Sequence, residues 1–580
     1  MENGIISAST IKNWVRLGIK EGESRLSKGA NKRFSSRNII PVEYFNNKKN
    51  RRYLHQILDL TKGFEIKTVI YSLALNLLNK NKFITLYSNG NFDTDKKYLK
   101  EVLNSFKHPI SRELMSINLP QDESDFLGII YQSLLKEGCK NINGSYYTPK
   151  GIISKALEDL APGECFLDPC CGSGSFLIAA SEKIKNPEKI YGIDKDEIAC
   201  FIAKINLIIK FPQIDFYPNI FNADCLTDEK AFSDKFDIIA TNPPWGAMNC
   251  ETYKNMYPEV ISGESFSYFI VKVSKMLKKG GRSVFVLPQS VLSVAMHRDI
   301  RKFILNNYCI EEINLLNKKF SSVLSKVVVL KLTNNNSVKN IKITNACQCF
   351  SVSPSVYECD ENFNFSILDN QDVVLLKKIY SIRHETLKDS LFALGIVTGN
   401  NSKYLSIRAG VGKEKIYTGK EVEEYFLKPA KRYIKYDRNN FQQVASDNIY
   451  RAKEKLVYKF ISPTPVFAYD DSSALFLNSA NILIPNVKDH TPKTVLAYLN
   501  SKLFKYIYLK KINDLKMLKS NLLKLPFPRL KKGDCIFLET LADEYLHNKS
   551  LNTLNKIDEF VYKSFHLSKE DILYINSSLC

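Results

Sequence analysis

The stretch FDIIATNPPWG, residues 236–246, joins an apolar, β-branched run to an asparagine, two prolines and a tryptophan. Proline lacks the N–H that a central strand must donate, so the strand is expected to end before Pro243. Asn242 offers a side-chain carbonyl. Pro243 offers a backbone carbonyl and no N–H of its own. Two acceptors aimed at one point suit an amino group with two hydrogens. Pro243 and Pro244 fix the backbone that carries them, and Trp245 adds a flat face for stacking. These residues are suited to hold an aromatic amine rather than to hydrolyse a bond.

A second stretch, CFLDPCCGSGSFLIAA at 165–180, reads as a strand ending at Asp168, a small turn with Gly172 and Gly174, and a helix from about Ser175. Glycines let backbone approach a ligand closely, and the N–H groups at a helix start favour an anionic group. The turn lacks the full G-x-G-x-x-G spacing and the lysine of a nucleoside-triphosphate loop. Asp194, in YGIDKDE, falls at the next strand end, where a carboxylate can accept both hydroxyls of a ribose. Asp224, in NADCL, ends a third strand and can accept from an exocyclic adenine amine. Each acid alone is an ordinary loop residue. Three at successive strand ends of one sheet describe a nucleoside crevice with NPPW beside it.

The elements that must position these residues follow a regular rhythm. Residues 56–140 read mostly helical. From about 141 to 335, short β-branched runs (CFLD, KIYGID, DFYPNIFNAD, FDIIAT, RSVFVLP, EEINLL and KVVVLKL) alternate with helical stretches. That is the pattern of a mostly parallel sheet covered on both faces. Residues 336–385 read as an irregular connection, and 386–580 as a separate C-terminal α+β domain. Residues 1–55 stand apart, with 12 Lys/Arg against 3 Asp/Glu between Lys12 and Arg52. They are expected to form a basic helix-turn-helix-like module.

The ordered set GSYYTPKGI, LDPCCGSGSF, YGIDKDE, NADCL and TNPPW resembles the motifs of amino-methylating DNA methyltransferases that use S-adenosylmethionine. Their order, catalytic motifs before the recognition domain, resembles the gamma class of N6-adenine enzymes, including its restriction-modification methylases. The resemblance implies a Rossmann-like seven-stranded sheet, an N-terminal helical and basic region and a C-terminal target-recognition domain. It assigns Tyr147, Thr148 and Pro149 to the methionine end of the cofactor, and Asp168, Gly172 and Gly174 to its middle. Asp194 would bind ribose and Asp224 the adenine amine. Asn242, Pro243 and Pro244 would form the catalytic loop, with Trp245 stacked on the target base and Phe320 against its other face. Trp245 departs from the tyrosine or phenylalanine usual there. A target inside a duplex would have to flip out to reach this site.

The net charge of +21 favours a polyanionic partner. Double-stranded DNA is the expected one, read by the C-terminal domain, with Lys431, Arg432 and Lys435 on its phosphates. A restriction endonuclease, if it accompanies this chain, should be a separate protein. The competing readings are an N4-cytosine DNA methyltransferase, an RNA or protein-glutamine methyltransferase, and a DNA-binding subunit with a decayed cofactor site. No apolar run is long enough to span a bilayer, and the N-terminus has no signal-peptide pattern. The 13 cysteines include no C-x-x-C pair. No metal site is expected, and the thiols read as those of a reduced, cytoplasmic protein.

Overall fold

The computed structural model describes residues 45, 47–61, 63–120, 122–135, 148–228, 235–248, 250–316, 326–334, 340–345, 348–358, 360, 362–512 and 515–579. Residues 1–44, most of the expected basic module, lie outside these. So do Tyr147 and Phe320. The chain divides between Phe365 and Ser366 into two compact units.

The first unit begins with helices α1 (Arg51–Leu60), α2 (Ile66–Lys80), α3 (Lys97–Ser105), α4 (Arg112–Ser116), α5 (Phe126–Leu134) and α6 (Lys150–Ala156). The sheet strands are β1 (Phe166–Asp168), β2 (Ile190–Asp194), β3 (Asn219–Asn222), β4 (Phe236–Thr241), β5 (Leu277–Pro288), β6 (Cys309–Leu316), β7 (Val327–Thr333), β8 (Ile341–Thr344) and β9 (Cys349–Val352). Between them run α7 (Ser175–Ser181), α8 (Glu197–Lys210), α9 (Glu251–Met256), α10 (Ser265–Ser274) and α11 (Arg298–Asn307). The strand order is β9-β8-β6-β7-β5-β4-β1-β2-β3. Strands β1 to β5 pair in parallel, and β7 runs antiparallel between β5 and β6. The order reverses between β1 and β4, which opens a crevice beyond the carboxyl ends of those two strands.

The sheet contains the seven strands that the resemblance implied, in the order β6-β7-β5-β4-β1-β2-β3, and two more extend it to nine. The two additional strands come from 341–352, inside the stretch expected to be irregular. β8 lies parallel to β6 and β9 antiparallel to β8. Ile341 and Ile343 alternate with exposed or half-buried polar residues, a period-two pattern too short to stand out beside its asparagine-rich flank. Pairing β8 with β6 satisfies backbone groups that would otherwise line an open edge.

The helical N-terminal part shares a core with the sheet. α2 is almost wholly buried, and Phe106 stacks on Phe201 of α8 at 4.1 Å between ring centres. One apolar cluster runs from Leu54 and Val69 through Phe166 to Val329.

The second unit holds two four-stranded sheets. Its strands are β10 (Leu391–Ala393), β11 (Leu405–Ser406), β12 (Glu414–Tyr417), β13 (Arg432–Ile434), β14 (Lys455–Lys459), β15 (Phe467–Asp470), β16 (Leu475–Phe476) and β17 (Ala480–Ile484). One sheet has the order β10-β17-β14-β15 and the other β11-β13-β12-β16. The helices are α12 (Asn370–Ser381), opened by an Asp369/Asp372 capping box, then α13 (Pro492–Asn500), α14 (Lys502–Ile507), α15 (Lys532–Asn548), α16 (Leu551–Ser564) and α17 (Lys569–Leu579). Lys455 and Asp470 pair β14 to β15 through a fully buried ion pair at 2.6 Å. Asp470 also accepts from the Ser472 and Ala474 amides. No helix among the described residues is long and apolar enough to cross a membrane.

Candidate active site

The crevice gathers residues from the ends of four adjacent strands. Asp168 ends β1 and is 1% exposed. Its Oδ1 accepts from Thr241 Oγ1, at the end of β4, at 2.6 Å and from the Cys170 amide at 3.1 Å. Asp168 thus ties together the two strand ends that bound the crevice. Burial pushes its carboxyl up to about 7, and those two hydrogen bonds only partly oppose the shift. The folded chain therefore holds a proton there that the unfolded chain has lost, between about pH 4 and pH 7. This contribution to stability is complete below the unfolded value and is lost as pH rises through the folded one. Asp168→Asn removes the titration and keeps an acceptor for both donors. In urea denaturation the variant should gain on the wild type as pH rises from 4 to 7 and level off above. Parallel stability curves across that window would contradict a buried proton on Asp168.

The Gly-rich turn follows directly. Gly172 and Gly174 have φ of +53° and +90°. A Cβ on Gly174 would be strained at this φ and would stand only 3.2 Å from Ala203 Cβ on α8, so the backbone conformation calls for glycine and the packing beside it is tight. The Gly172 amide donates to Asp194 Oδ2 at 2.8 Å, and the Asp196 amide donates to Asp194 Oδ1 at 2.9 Å. Asp194, half-buried at the tip of β2, is thereby locked to the turn, and burial raises its pKa. The next acid, Asp224, accepts from Tyr253 of α9 at 2.6 Å and from Lys195 at 3.0 Å. Burial works against its charged form, but these two partners outweigh it and hold the carboxyl below its ordinary range. The turn, with its bare backbone, and the acids at β2 and β3 have the form and chemistry that a nucleoside cofactor requires.

The Asn-Pro-Pro-Trp loop leaves β4 on the other side of the crevice. Asn242 Nδ2 donates to Thr148 Oγ1 at 3.0 Å, just ahead of α6. In this orientation Oδ1 is the acceptor end of the amide. Trp245 is half-buried against the core, and its Nε1 donates to the Val286 carbonyl of β5 at 3.4 Å. The loop is braced from α10. Gly246 N donates to Glu264 Oε1 at 2.7 Å, Ser265 N to the Gly246 carbonyl at 3.0 Å, and Ser265 Oγ to the Pro244 carbonyl.

The strand ends thus bring together Asp168, Gly172, Gly174, Asp194, Asp224, Asn242, Pro243, Pro244 and Trp245. Thr148 joins them through Asn242, and Pro149 caps α6 beside it. Lys431, Arg432 and Lys435 lie in the second unit, all three exposed on or next to β13.

Asp125 was not singled out from sequence. It caps α5 and is buried, accepting from Gly128 N at 3.1 Å, Ser173 Oγ at 2.5 Å, Ser175 Oγ at 3.1 Å and Asn206 Nδ2 at 2.7 Å. Burial lifts its carboxyl to about 6 against those four bonds. The N-terminal helices therefore reach the Gly-rich turn through one side chain. The available signal was an aspartate directly before the apolar helix FLGIIYQSL. Glu264, Ser265 and Tyr253 carry no comparable local signal.

Residues 122–386 match the family model described as N-6 DNA Methylase, and residues 414–527 match a TaqI-like C-terminal specificity domain. The type II methyltransferase M.VspI of Vibrio sp. (strain 343) is 32% identical over 310 residues, which cover 51% of this chain and 74% of that one. The chain belongs to the N-6 DNA methylase family. It is a site-specific DNA methyltransferase of the gamma N6-adenine class. The methylase subunit of the type I restriction enzyme EcoEI of Escherichia coli is 26% identical, over 29% of this methylase and 38% of that subunit. Among solved structures, the type IIL restriction-modification enzyme MmeI in complex with DNA aligns with 99% of both chains at a TM-score of 0.58 and 13% identity. That likeness concerns the fold alone.

Proposed function

We propose that this methylase transfers a methyl group from S-adenosylmethionine to the N6 of an adenine flipped out of a specific duplex sequence, as the modification arm of a restriction-modification system. The observation that carries the reading is the Asn242 amide, held by Thr148 at the mouth of the strand-order reversal. Gly172, Gly174 and Asp194 would hold the cofactor, with Asp224 at its adenine, Asp168 behind the turn, and Tyr147, Thr148 and Pro149 at its methionine end. Bound there, the cofactor supplies a methyl group made electrophilic by a positively charged sulfur. The chain's own work is on the amine. The N6 lone pair is delocalised into the adenine ring, which makes it a poor nucleophile. Asn242 Oδ1 and the Pro243 carbonyl accept its two hydrogens, which favours a tetrahedral nitrogen with the lone pair directed away from the ring. Acceleration comes from position and preorganised dipoles, with no strong base required. Trp245 stacks on the extruded base, worth about 1–3 kcal/mol, comparable with the few kcal/mol of unstacking. Phe320 is proposed for the opposite face.

The second unit would read the sequence, with Lys431, Arg432 and Lys435 on phosphates. A separate endonuclease would cut unmodified sites, and a cytoplasmic location follows from such a role. Incubating the purified chain with isotopically labelled S-adenosylmethionine and genomic DNA, then digesting to nucleosides, tests the reaction. Label in N6-methyl-2′-deoxyadenosine is expected. Label in N4-methylcytosine would replace the adenine assignment, and binding of the cofactor without any transfer would favour a decayed subunit.

A further inference from the structure

In the second unit, β11 and β12 flank β13 on opposite sides, both antiparallel to it. Leu405 and Glu414 both pair with Ile434, and Ser406 and Lys415 both pair with Tyr433. Residues 407–413 must therefore leave at the Arg432 end of β13 and return across it to the Ile434 end. They form an arch. Its start is fixed by Ser406 Oγ, which accepts from the Arg408 amide at 3.1 Å and donates to the Arg408 carbonyl at 2.8 Å. Its return is fixed by Lys413 N donating to the Gly410 carbonyl at 3.0 Å.

Two features of the arch point outward. Ile407 is 82% exposed and Val411 fully exposed. On the arch and on or next to β12 and β13, Arg408, Lys413, Lys415, Lys431, Arg432 and Lys435 are all exposed, and none of these six is in an ion pair among the described residues. The one acid of the arch region, Glu414, is held in a bidentate pair with Arg451 at 2.7 and 2.8 Å. The arch and the strands beside it thus present two bare aliphatic side chains and six exposed cations that are outside any ion pair among the described residues. A protein partner that buried Ile407 and Val411 would also have to match six positive charges. A DNA groove does both. Its phosphates flank a floor and walls of sugar carbons and base edges that accept apolar contact.

We propose that the 407–413 arch is a duplex-DNA contact, with Ile407 and Val411 entering a groove while the cations of the arch and of the strands beside it hold phosphates. It begins ahead of the span matched by the specificity-domain model, which starts at residue 414. The proposal rests on the DNA-methylating reading and extends it to an element outside that span. Its two classes of side chain separate by salt. Phosphate neutralisation sets the slope of log K against log salt, about −0.9 per phosphate, whereas apolar burial shifts log K and leaves the slope unchanged.

The test uses the full chain and a fluorescein-labelled duplex of mixed sequence, with anisotropy titrations at several salt concentrations. Ile407→Ser/Val411→Ser should weaken binding about ten-fold or more at every salt concentration, with an unchanged slope. Arg408→Gln/Lys413→Gln/Lys415→Gln should flatten the slope by about 0.9 for each phosphate no longer neutralised. All five side chains are exposed, so melting temperatures should stay at the wild-type value. Wild-type affinity and slope in both variants, while the parent binds steeply, would overturn the arch and leave the methylating reading intact. A parent that fails to bind duplex at all would remove both. Weaker binding that tracks loss of self-association in sedimentation would make the arch a subunit contact and overturn the proposal.

Discussion

Asn242→Ala abolishes methyl transfer while the chain still binds its cofactor: this is the largest effect expected from any single substitution. The loss in kcat should be at least roughly 10²–10³-fold, the usual consequence of removing one preorganised polar partner from a developing charge. Cofactor affinity should largely survive, because most of the residues proposed to hold it lie at the ends of β1, β2 and β3 and in the Gly-rich turn, whereas Asn242 leaves β4. Thr148 sharpens the experiment. Its hydroxyl holds Asn242 Nδ2 at 3.0 Å, so Thr148→Val frees the amide to rotate, and Thr148→Ser retains the bond. If Thr148 acts through Asn242, the valine variant loses kcat, the serine variant recovers most of it, and the cofactor Kd of both stays near that of the parent. If Thr148 is chiefly a cofactor contact, the valine variant raises that Kd, and the orienting role is wrong. Calorimetry with S-adenosylmethionine and single-turnover transfer to duplex DNA measure the two quantities separately.

The second large effect concerns where the chain is cut. A fragment ending at Phe365 should bind cofactor and lose selective DNA binding altogether. The sequence alone points to a cut near residue 385, but that would retain α12. Leu375, Leu376 and Ile379 of α12 belong to an apolar cluster with Leu499, Phe504 and Phe527 of the second unit. A fragment ending at 385 would carry those side chains without their partners and should aggregate. One ending at 365 stops at the boundary between the two units. Competition binding with methylatable and scrambled duplexes would decide the matter. A 1–365 fragment that still preferred one sequence would move recognition out of the second unit.

Much of this was legible in the chain because it was written in local patterns. The runs CFLD, KIYGID, FDIIAT and KVVVLKL became β1, β2, β4 and β7, and the strand-end acids fell where a parallel sheet puts them. What escaped were features set by distant pairing. β8 and β9 are four residues each; β8 gains its identity from β6, and β9 from β8. Asp125 reaches Ser173 across 48 positions of sequence, and Glu264 braces Gly246 from the start of a helix whose own pattern says only that it is apolar. The carboxylate of Asp224, expected to face the cofactor, is also engaged by Tyr253 and Lys195. Spacing could mark the acid but not its neighbours.

The buried pair between Lys455 and Asp470 has an evolutionary consequence. Losing one partner would strand a charge inside the protein, at a cost of about 3–5 kcal/mol, a large share of a domain's margin of about 5–15 kcal/mol. Exposed positions such as Arg408, Lys415 or Lys435 can change for about 0.5 kcal/mol or less. If the second unit reads the target, selection for a new target sequence therefore meets two very unequal landscapes in one domain. The pairing of β14 with β15 is nearly frozen, because reaching another solution requires two simultaneous substitutions. The exposed cations and aliphatic side chains of the arch and its strands are free to drift. Descendants of this chain should accordingly diverge in the sites they mark long before they diverge in the framework that presents those side chains.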